Sequence, residues 1–350
     1  MTQLAICGLG NIGKVHLENL RSLRGCRVVG LFDRNRKELE RLSAGLVMRT
    51  YATADELFAD SEVSAVVVAT PSGSHREYAV RAMGAGKHVF LEKPLALTLA
   101  EADELVAAAH ERKLKFTIGY SQRFNPKFAY VRKSIRDGSI GRPVSALVSR
   151  HITRNLGKKI SGRIKLSPAA MEATHDLDFV LWCLEPAKPV RVYSQNNFGT
   201  MQETSGAPIP DTQWITVTMD SGVAFVIGAG WTLPPGYPNF STTWIEFVGT
   251  EGAVMVDDSH RDVVLNTMDK GMVLPMSTMP GEAVEHTYAG PMAAETIHFL
   301  EAVALDRPVL VTPEHARMVM EVYIAADLSA ESNEPVALPL SEAKKVRAAA

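Results

Sequence analysis

The sequence predicts an α/β N-terminal domain on a parallel, doubly wound sheet, followed by an α+β domain with a mainly antiparallel sheet. Three observations carry this. Residues 4–13, LAICGLGNIG, run an apolar segment straight into Gly8, Gly10 and Gly13. Strand-like and helix-like segments alternate over the first ~120 residues. Beyond them, β-like segments joined by short turns such as Asp220-Ser-Gly222 and Gly249-Thr-Glu-Gly252 dominate. The 350 residues suffice for two domains with a sizeable core, divided as 1–122 and 123–350.

In the first domain, strands are expected near 3–7, 27–32, 64–69, 88–91 and 115–119, and helices near 12–23, 35–45, 53–60, 75–85 and 98–112. Ser64-Ala-Val-Val-Val-Ala-Thr70 is nearly all apolar, as a strand covered on both faces must be. Two helix starts carry capping boxes, Thr53 with Glu56 and Thr98 with Glu101. After residue 122 a helix is expected over 125–137, ending at Asp137-Gly138. Strands follow near 143–153, 188–197, 212–219, 223–231, 242–248 and 253–256, and helices near 168–184, 291–304 and 313–330. These helices would cover one face of the sheet. The last ~10 residues, rich in Lys and Ala, are expected to fray.

The formal net charge of −2 gives no field directed at nucleic acid or an anionic membrane. Cys7, Cys26 and Cys183 are too few and too scattered for a disulfide framework or a zinc site. Cys7 in the first strand and Cys183 on an apolar helix read as small core residues. No apolar run approaches the roughly 18 residues of a membrane span, and no basic n-region precedes the first strand. A cytoplasmic protein, without metal, nucleic-acid or membrane partners, is the expectation.

Gly8, Gly10 and Gly13, with Asn11 and Ile12 between the last two, follow a strand and open a helix. In that context the G-x-G-x-x-G pattern binds a dinucleotide. Gly8 permits the turn, Gly10 lets the backbone approach a pyrophosphate, and Gly13 lets helix and strand pack closely. The helix N-terminus offers free N–H groups to the phosphates. The second strand, RVVGLF, ends in Asp33, 20 residues after Gly13. A carboxylate there accepts from the ribose hydroxyls of NAD and repels a 2′-phosphate, while Arg34 leaves NADP open. The bland alternative is a strand–turn–helix whose glycines serve packing alone.

Glu92-Lys93-Pro94 follows the strand HVFL, at the carboxyl edge of the sheet, where open α/β folds place ligands. A lysine beside a cofactor's positive ring is expected to have a depressed pKa and to exchange a proton with a substrate oxygen. Glu92 could pair with it or contact the cofactor, and Pro94 restricts Lys93 to extended geometry. Thr70-Pro71 ends the third strand on the same edge and would line the dinucleotide groove. His75 begins the next helix and reads as structural. Glu172 and His175 are i and i+3 on a predicted helix, and Met171 is i−4 to the histidine, so all three would share one face. Asp178 could orient the ring, and carboxylates around a histidine suit acid–base work near neutral pH. Arg123, Asn125 and Arg150-His-Ile-Thr-Arg-Asn155 fall where two domains should meet and are candidate substrate contacts, Arg123 being a candidate cofactor contact as well. Lys158, Lys159, Arg163 and Lys165 follow in a flexible-looking loop. It is either a solvated face or a site for an acidic substrate.

Together these pieces resemble the glucose–fructose oxidoreductase/inositol dehydrogenase/rhizopine-catabolism (Gfo/Idh/MocA) family along nearly the whole chain. The resemblance rests on AICGLGNIGKVH, ATPSGSH at 69–75, LEKPLALT at 91–98 and YSQRFNP at 120–126, and on THDLDFVLWCL at 174–184, VGTEGAVMVD at 248–257 and FLEAVALDRPVLVTPEHARMVMEV. It implies a Rossmann domain followed by a domain on a large open sheet. It also implies pairing of sheet faces into homodimers or homotetramers, and NAD(P)-linked oxidation of a secondary alcohol of a sugar or cyclitol, or the reverse. The family's catalytic lysine falls on Lys93, its acid–base histidine on His175, and its substrate-binding asparagine loosely on Asn155. Where the family often has an aspartate four residues before the histidine, this chain has Met171, and Glu172 could supply the carboxylate. The expected activity is NAD-dependent oxidation of a sugar, sugar acid or cyclitol, with Lys93, His175 and Glu172 at the substrate. The alternatives are an NAD-dependent glycosidase of the same fold, and a regulator that senses the dinucleotide without catalysis.

Overall fold

The computed structural model describes residues 2–161, 166–206, 209–234, 237, 241–257, 265–269, 271–273, 282–285 and 287–341. The chain forms two compact units, Met1–Phe124 with Pro280–Arg317, and Asn125–Met279 with Met318–Ala350. The two-block division at 122/123 has no place for the return of residues 280–317 to the first unit.

The first unit alternates strictly: β1 (Thr2–Cys7), α1 (Asn11–Ser22), β2 (Cys26–Phe32), α2 (Arg36–Ser43), β3 (Arg49–Thr50), α3 (Ala54–Ala59), β4 (Ala65–Val68), α4 (His75–Gly84), β5 (His88–Leu91), α5 (Leu99–Glu111) and β6 (Phe116–Ile118). All six strands are parallel, in the order β3-β2-β1-β4-β5-β6. The winding reverses between β1 and β4, where Cys7 pairs with Val68 at the carboxyl ends. Doubly wound sheets take ligands in the crevice beyond such a reversal. Leu4 to Cys7 and Ala65 to Val68 are buried, each large aliphatic side chain contributing roughly 1.5–3 kcal/mol relative to exposure. Burial pushes the Cys7 thiol up to about 12, so it is an inert core residue. The Thr98–Glu101 capping box is complete. At α3 the box is shifted: the Thr53 hydroxyl accepts from the Glu56 N–H, but the Glu56 carboxylate accepts from Ala52 rather than Thr53.

The second unit contains α6 (Pro126–Arg136), β7 (Pro143–Thr153), α7 (Arg154–Ser161), a π-helical turn at Ala169–Ala173, α8 (Thr174–Leu184), β8 (Pro189–Asn197), α9 (Thr200–Ser205), β9 (Thr212–Met219), β10 (Ala224–Leu233), β11 (Ser241–Gly249) and β12 (Ala253–Asp257). Strands β13 (Leu265–Thr267) and β14 (Gly271–Val273) form one short hairpin. In the first unit, β15 (Glu282–Val284) and β16 (Thr287–Ala289) form another, followed by α10 (Pro291–Ala304). Helix α11 (Pro313–Ser332) runs from the first unit into the second, and β17 (Val336–Ala337) ends the described order.

The large sheet runs β12-β11-β7-β10-β9-β8-β17, with β7–β10 parallel and every other neighbouring pair antiparallel. Alternation along β7 sends Ala146, Val148, Arg150 and Ile152 to the buried face. Helix α8 covers that face, with Phe179 meeting Phe247 of β11 at 6.0 Å and Phe128 of α6 at 4.9 Å. The expected flexible stretch after Asn155 is instead helical as far as Ser161. Gly157 makes this fit, because a Cβ there would stand 2.6 Å from the Trp231 side chain. Lys158 lies on this helix and is exposed. The Lys159 side chain, Arg163 and Lys165 lie outside the described residues.

In the first unit, α10 packs on α1. The Asn19 side-chain amide donates to the Met292 carbonyl at 3.1 Å and to the Thr296 hydroxyl at 2.9 Å, and Phe299 meets Phe90 edge-on at 5.8 Å. Among the described residues, no helix is long and apolar enough to cross a membrane.

Candidate active site

The glycine turn has the three properties a dinucleotide needs. Gly8 sits at φ +99, which only glycine adopts freely. A Cβ on Gly13 would stand 2.0 Å from the Gly8 carbonyl oxygen, so α1 approaches the turn only without a side chain there. At Gly10 a Cβ would meet nothing within 4 Å, which leaves open space beside the backbone. Gly10 caps α1 with no side-chain hydrogen bond. The helix ladder starts with Lys14 N–H on the Gly10 carbonyl, so the Asn11, Ile12 and Gly13 N–H groups are those an anion would take. Ile12 is 45 % exposed on the rim. These residues fit a pyrophosphate.

Asp33 follows β2, its carboxylate fixed by two backbone amides, Leu9 N–H and Asn35 N–H, each at 2.6 Å. The glycine turn and the Asp33 carboxylate are thus one hydrogen-bonded piece. Arg34 is exposed, its guanidinium 6.0 Å from the Tyr78 ring centroid.

On the same edge, Thr70 and Pro71 follow β4, and Glu92 and Lys93 follow β5. Glu92 accepts from Nε2 of the fully buried His16 at 2.7 Å. Gly119 leaves room for it, since a Cβ there would be 3.1 Å from the carboxylate. Burial pushes the Glu92 carboxyl up, but the His16 hydrogen bond and the charges of His16, Lys93 and His75 together hold it below the usual range. Lys93 is half-buried. His75 fastens the two segments together: Nδ1 lies 2.7 Å from the Pro94 carbonyl and Nε2 2.8 Å from the Thr70 carbonyl. Burial pushes its imidazole below the usual histidine value, against the pull of both carbonyls and Glu92. His75 is therefore structural, as expected, but it fixes the backbone beside Lys93. Sequence reading missed His16 as the partner of Glu92; its one signal was a histidine on the buried face of α1. Arg123 is buried and donates to the Leu310 carbonyl at 3.1 Å. It fastens the chain after β6 to the segment before α11.

In the second unit, His175 is the second residue of α8 and is partly accessible, as is Met171, while Glu172 is 8 % exposed. The segment before His175 departs from the α-helical spacing on which the common face of all three rests. Residues 169–173 make a π turn, which closes i to i+5. Glu172 accepts from the Trp231 indole N–H of β10 at 2.9 Å. Met171 packs against the cluster formed by Ile152, Met201, Ile209 and Trp231. Asp176 and Asp178 are fully buried. Asp176 takes both arms of Arg150, at 2.6 and 2.8 Å, so Arg150 is a core residue rather than a substrate contact. Asn155 is exposed on the first turn of α7.

Two family models match the chain. One, described as an oxidoreductase family with an NAD-binding Rossmann fold, covers residues 2–120, and the other, its C-terminal alpha/beta domain, covers residues 132–338. A myo-inositol 2-dehydrogenase of Thermotoga maritima is 25 % identical over 347 residues, covering 96 % of this chain and 98 % of its own. A scyllo-inositol 2-dehydrogenase (NAD(+)) of Bacillus subtilis is 27 % identical over 348 residues, with 97 % of each chain covered. The solved scyllo-inositol dehydrogenase of Lactobacillus casei with bound NAD(H) and scyllo-inositol shares the fold. It has a TM-score of 0.83 at 20 % identity, over 96 % of this chain and 99 % of that one. With both domains matched and an open glycine cradle at the β1–β4 reversal, the chain belongs to the Gfo/Idh/MocA family and is an NAD-dependent oxidoreductase.

Proposed function

We propose that the enzyme oxidises a secondary alcohol of a cyclitol, sugar or sugar acid, or runs the reverse reduction, with Lys93 and His175 handling the hydroxyl proton. The observation that carries this is the position of Lys93. It follows β5 on the edge that holds the glycine turn, and it sits between Glu92, anchored by His16, and Pro94, anchored by His75. When bound, NAD takes up the carbinol hydrogen with its two electrons. The hydroxyl proton leaves as the hydride departs, to neutral Lys93 or to His175, and passes on to water; where His175 takes it, the Lys93 ammonium stabilises the negative charge developing on the carbinol oxygen. The hydrogen bond to Trp231 gives Glu172 a supporting role, holding the turn before His175. Asn155 is proposed as a substrate contact, and the inositol dehydrogenases among the relatives favour a cyclitol. A panel of inositols, sugars and sugar acids screened for NADH formation tests the reading. Turnover of none of them would remove it.

Asp33 is proposed to set the cofactor choice. Losing its charge-assisted hydrogen bonds to a ribose should narrow the preference for NAD over NADP by about ten- to a hundredfold. Calorimetric titration of wild type and Asp33→Ala with both cofactors checks this. A wild-type preference for NADP would contradict it.

The outer face of the large sheet is proposed as the surface for a second copy of the chain. It exposes Leu147, Tyr193, Trp214 and Trp244 at 37–41 %, an apolar run that isolated monomers rarely leave to water. Trp214→Glu with Trp244→Glu should yield a monomer by sedimentation velocity. Unchanged sedimentation would return the face to solvent.

A further inference from the structure

A carboxylate outside the proposed chemistry is joined by hydrogen bonds to the start of the helix that carries His175. Asp327 of α11 accepts from the Ser167 hydroxyl at 2.9 Å and from the Gln213 side-chain amide of β9 at 3.1 Å. Both partners turn to the π turn before α8. The Ser167 hydroxyl accepts from Ala170 N–H at 3.2 Å, and the Gln213 amide oxygen accepts from Ala169 N–H at 3.0 Å. The buried Gln213 also donates to the Ser194 hydroxyl of β8 at 3.1 Å. Two orphan N–H groups at this helix start are therefore satisfied by groups that Asp327 orients.

We propose that Asp327 is a positioning residue for His175, setting the start of α8 through Ser167 and Gln213. This rests on the reading of His175 as an acid–base group. The physical basis is the orientation of the Gln213 amide. An ionised Asp327 is an acceptor only, so the amide must turn its NH2 toward it and its oxygen toward Ala169. A protonated Asp327 can donate to the amide oxygen instead. The amide then reverses and Ala169 N–H loses its acceptor. Protein packed around the carboxyl pushes it up to about 7, with Glu331 on the same helix adding to the rise. Ser167 and Gln213, which face it from the other elements, are neutral. Its folded pKa is above the unfolded value, so its contribution to stability is complete below about pH 4 and is lost as pH rises toward 7.

Asp327→Asn removes that loss but cannot accept from both partners. At pH 8 it should raise Tm above wild type while lowering kcat about tenfold, the scale of a small misplacement of a reacting group. NAD affinity should be unchanged. A merely structural role would lower Tm and kcat together. Gln213→Leu breaks the same connection and should lower kcat similarly, with the double mutant no worse than either. Wild-type kcat in Asp327→Asn, a joint fall of Tm and kcat, or additive losses in the double mutant would overturn the proposal. His175→Ala, measured in parallel, separates the two readings. Full turnover there removes the acid–base role of His175, whereas loss there with wild-type Asp327→Asn removes only this one.

Discussion

Lys93→Met is expected to lower kcat by about 10²–10⁴, the span for losing a positioned acid or base. Methionine keeps most of the side-chain length and removes the charge and the protons. NAD affinity should change little, because the glycine turn and Asp33 form a separate hydrogen-bonded piece. His175→Ala should behave similarly. The double mutant should be little worse than either if the two act as one proton-handling unit. Steady-state kinetics with calorimetric NAD titration checks this. Near-wild-type turnover by Lys93→Met would remove Lys93 from the proton handling and leave that role to His175 alone.

Arg150→Met should have the largest effect on stability. Asp176 is fully buried and takes both arms of that guanidinium. Removing one member of such a pair leaves a buried charge unpaired and costs about 3–5 kcal/mol. Replacing both, Arg150→Met with Asp176→Leu, should recover most of the loss, because burying the pair is itself costly. Urea unfolding of the three variants measures this. A loss under about 1 kcal/mol in the single mutant would contradict the assignment of Arg150 to the core.

The parts of the fold legible in the sequence are those with a local signal. The all-apolar run at 65–68 announces a strand buried on both faces. Gly8 and Gly13 announce a turn whose geometry excludes a Cβ, and Thr98 with Glu101 announces a helix start. What was not legible depends on distance or on small departures from ideal geometry. Strands β3 and β17 are two residues long, too short for alternation to register. RNLGKKIS reads as a charged loop, and its helix depends on Trp231, far along the chain, accepting Gly157 against it. The pairs His16–Glu92 and Glu172–Trp231 are separated by 76 and 59 residues. The common face of Met171, Glu172 and His175 rests on period 3.6, and the π turn at Ala169–Ala173, which no periodicity announces, interrupts that period. The return of 280–317 is a matter of tertiary packing, in which Phe299 and Leu300 fill the core over α1 and β5.

The proposed function is net oxidation of a carbinol by NAD. The most direct measurement follows NADH absorbance with purified enzyme, NAD and a panel of inositols, sugars and sugar acids, alongside aryl glycosides that report a released leaving group. NADH should form in proportion to substrate consumed, and Lys93→Met should abolish its formation. Leaving-group release without NADH accumulation would contradict the proposed function and identify a glycosidase of this fold.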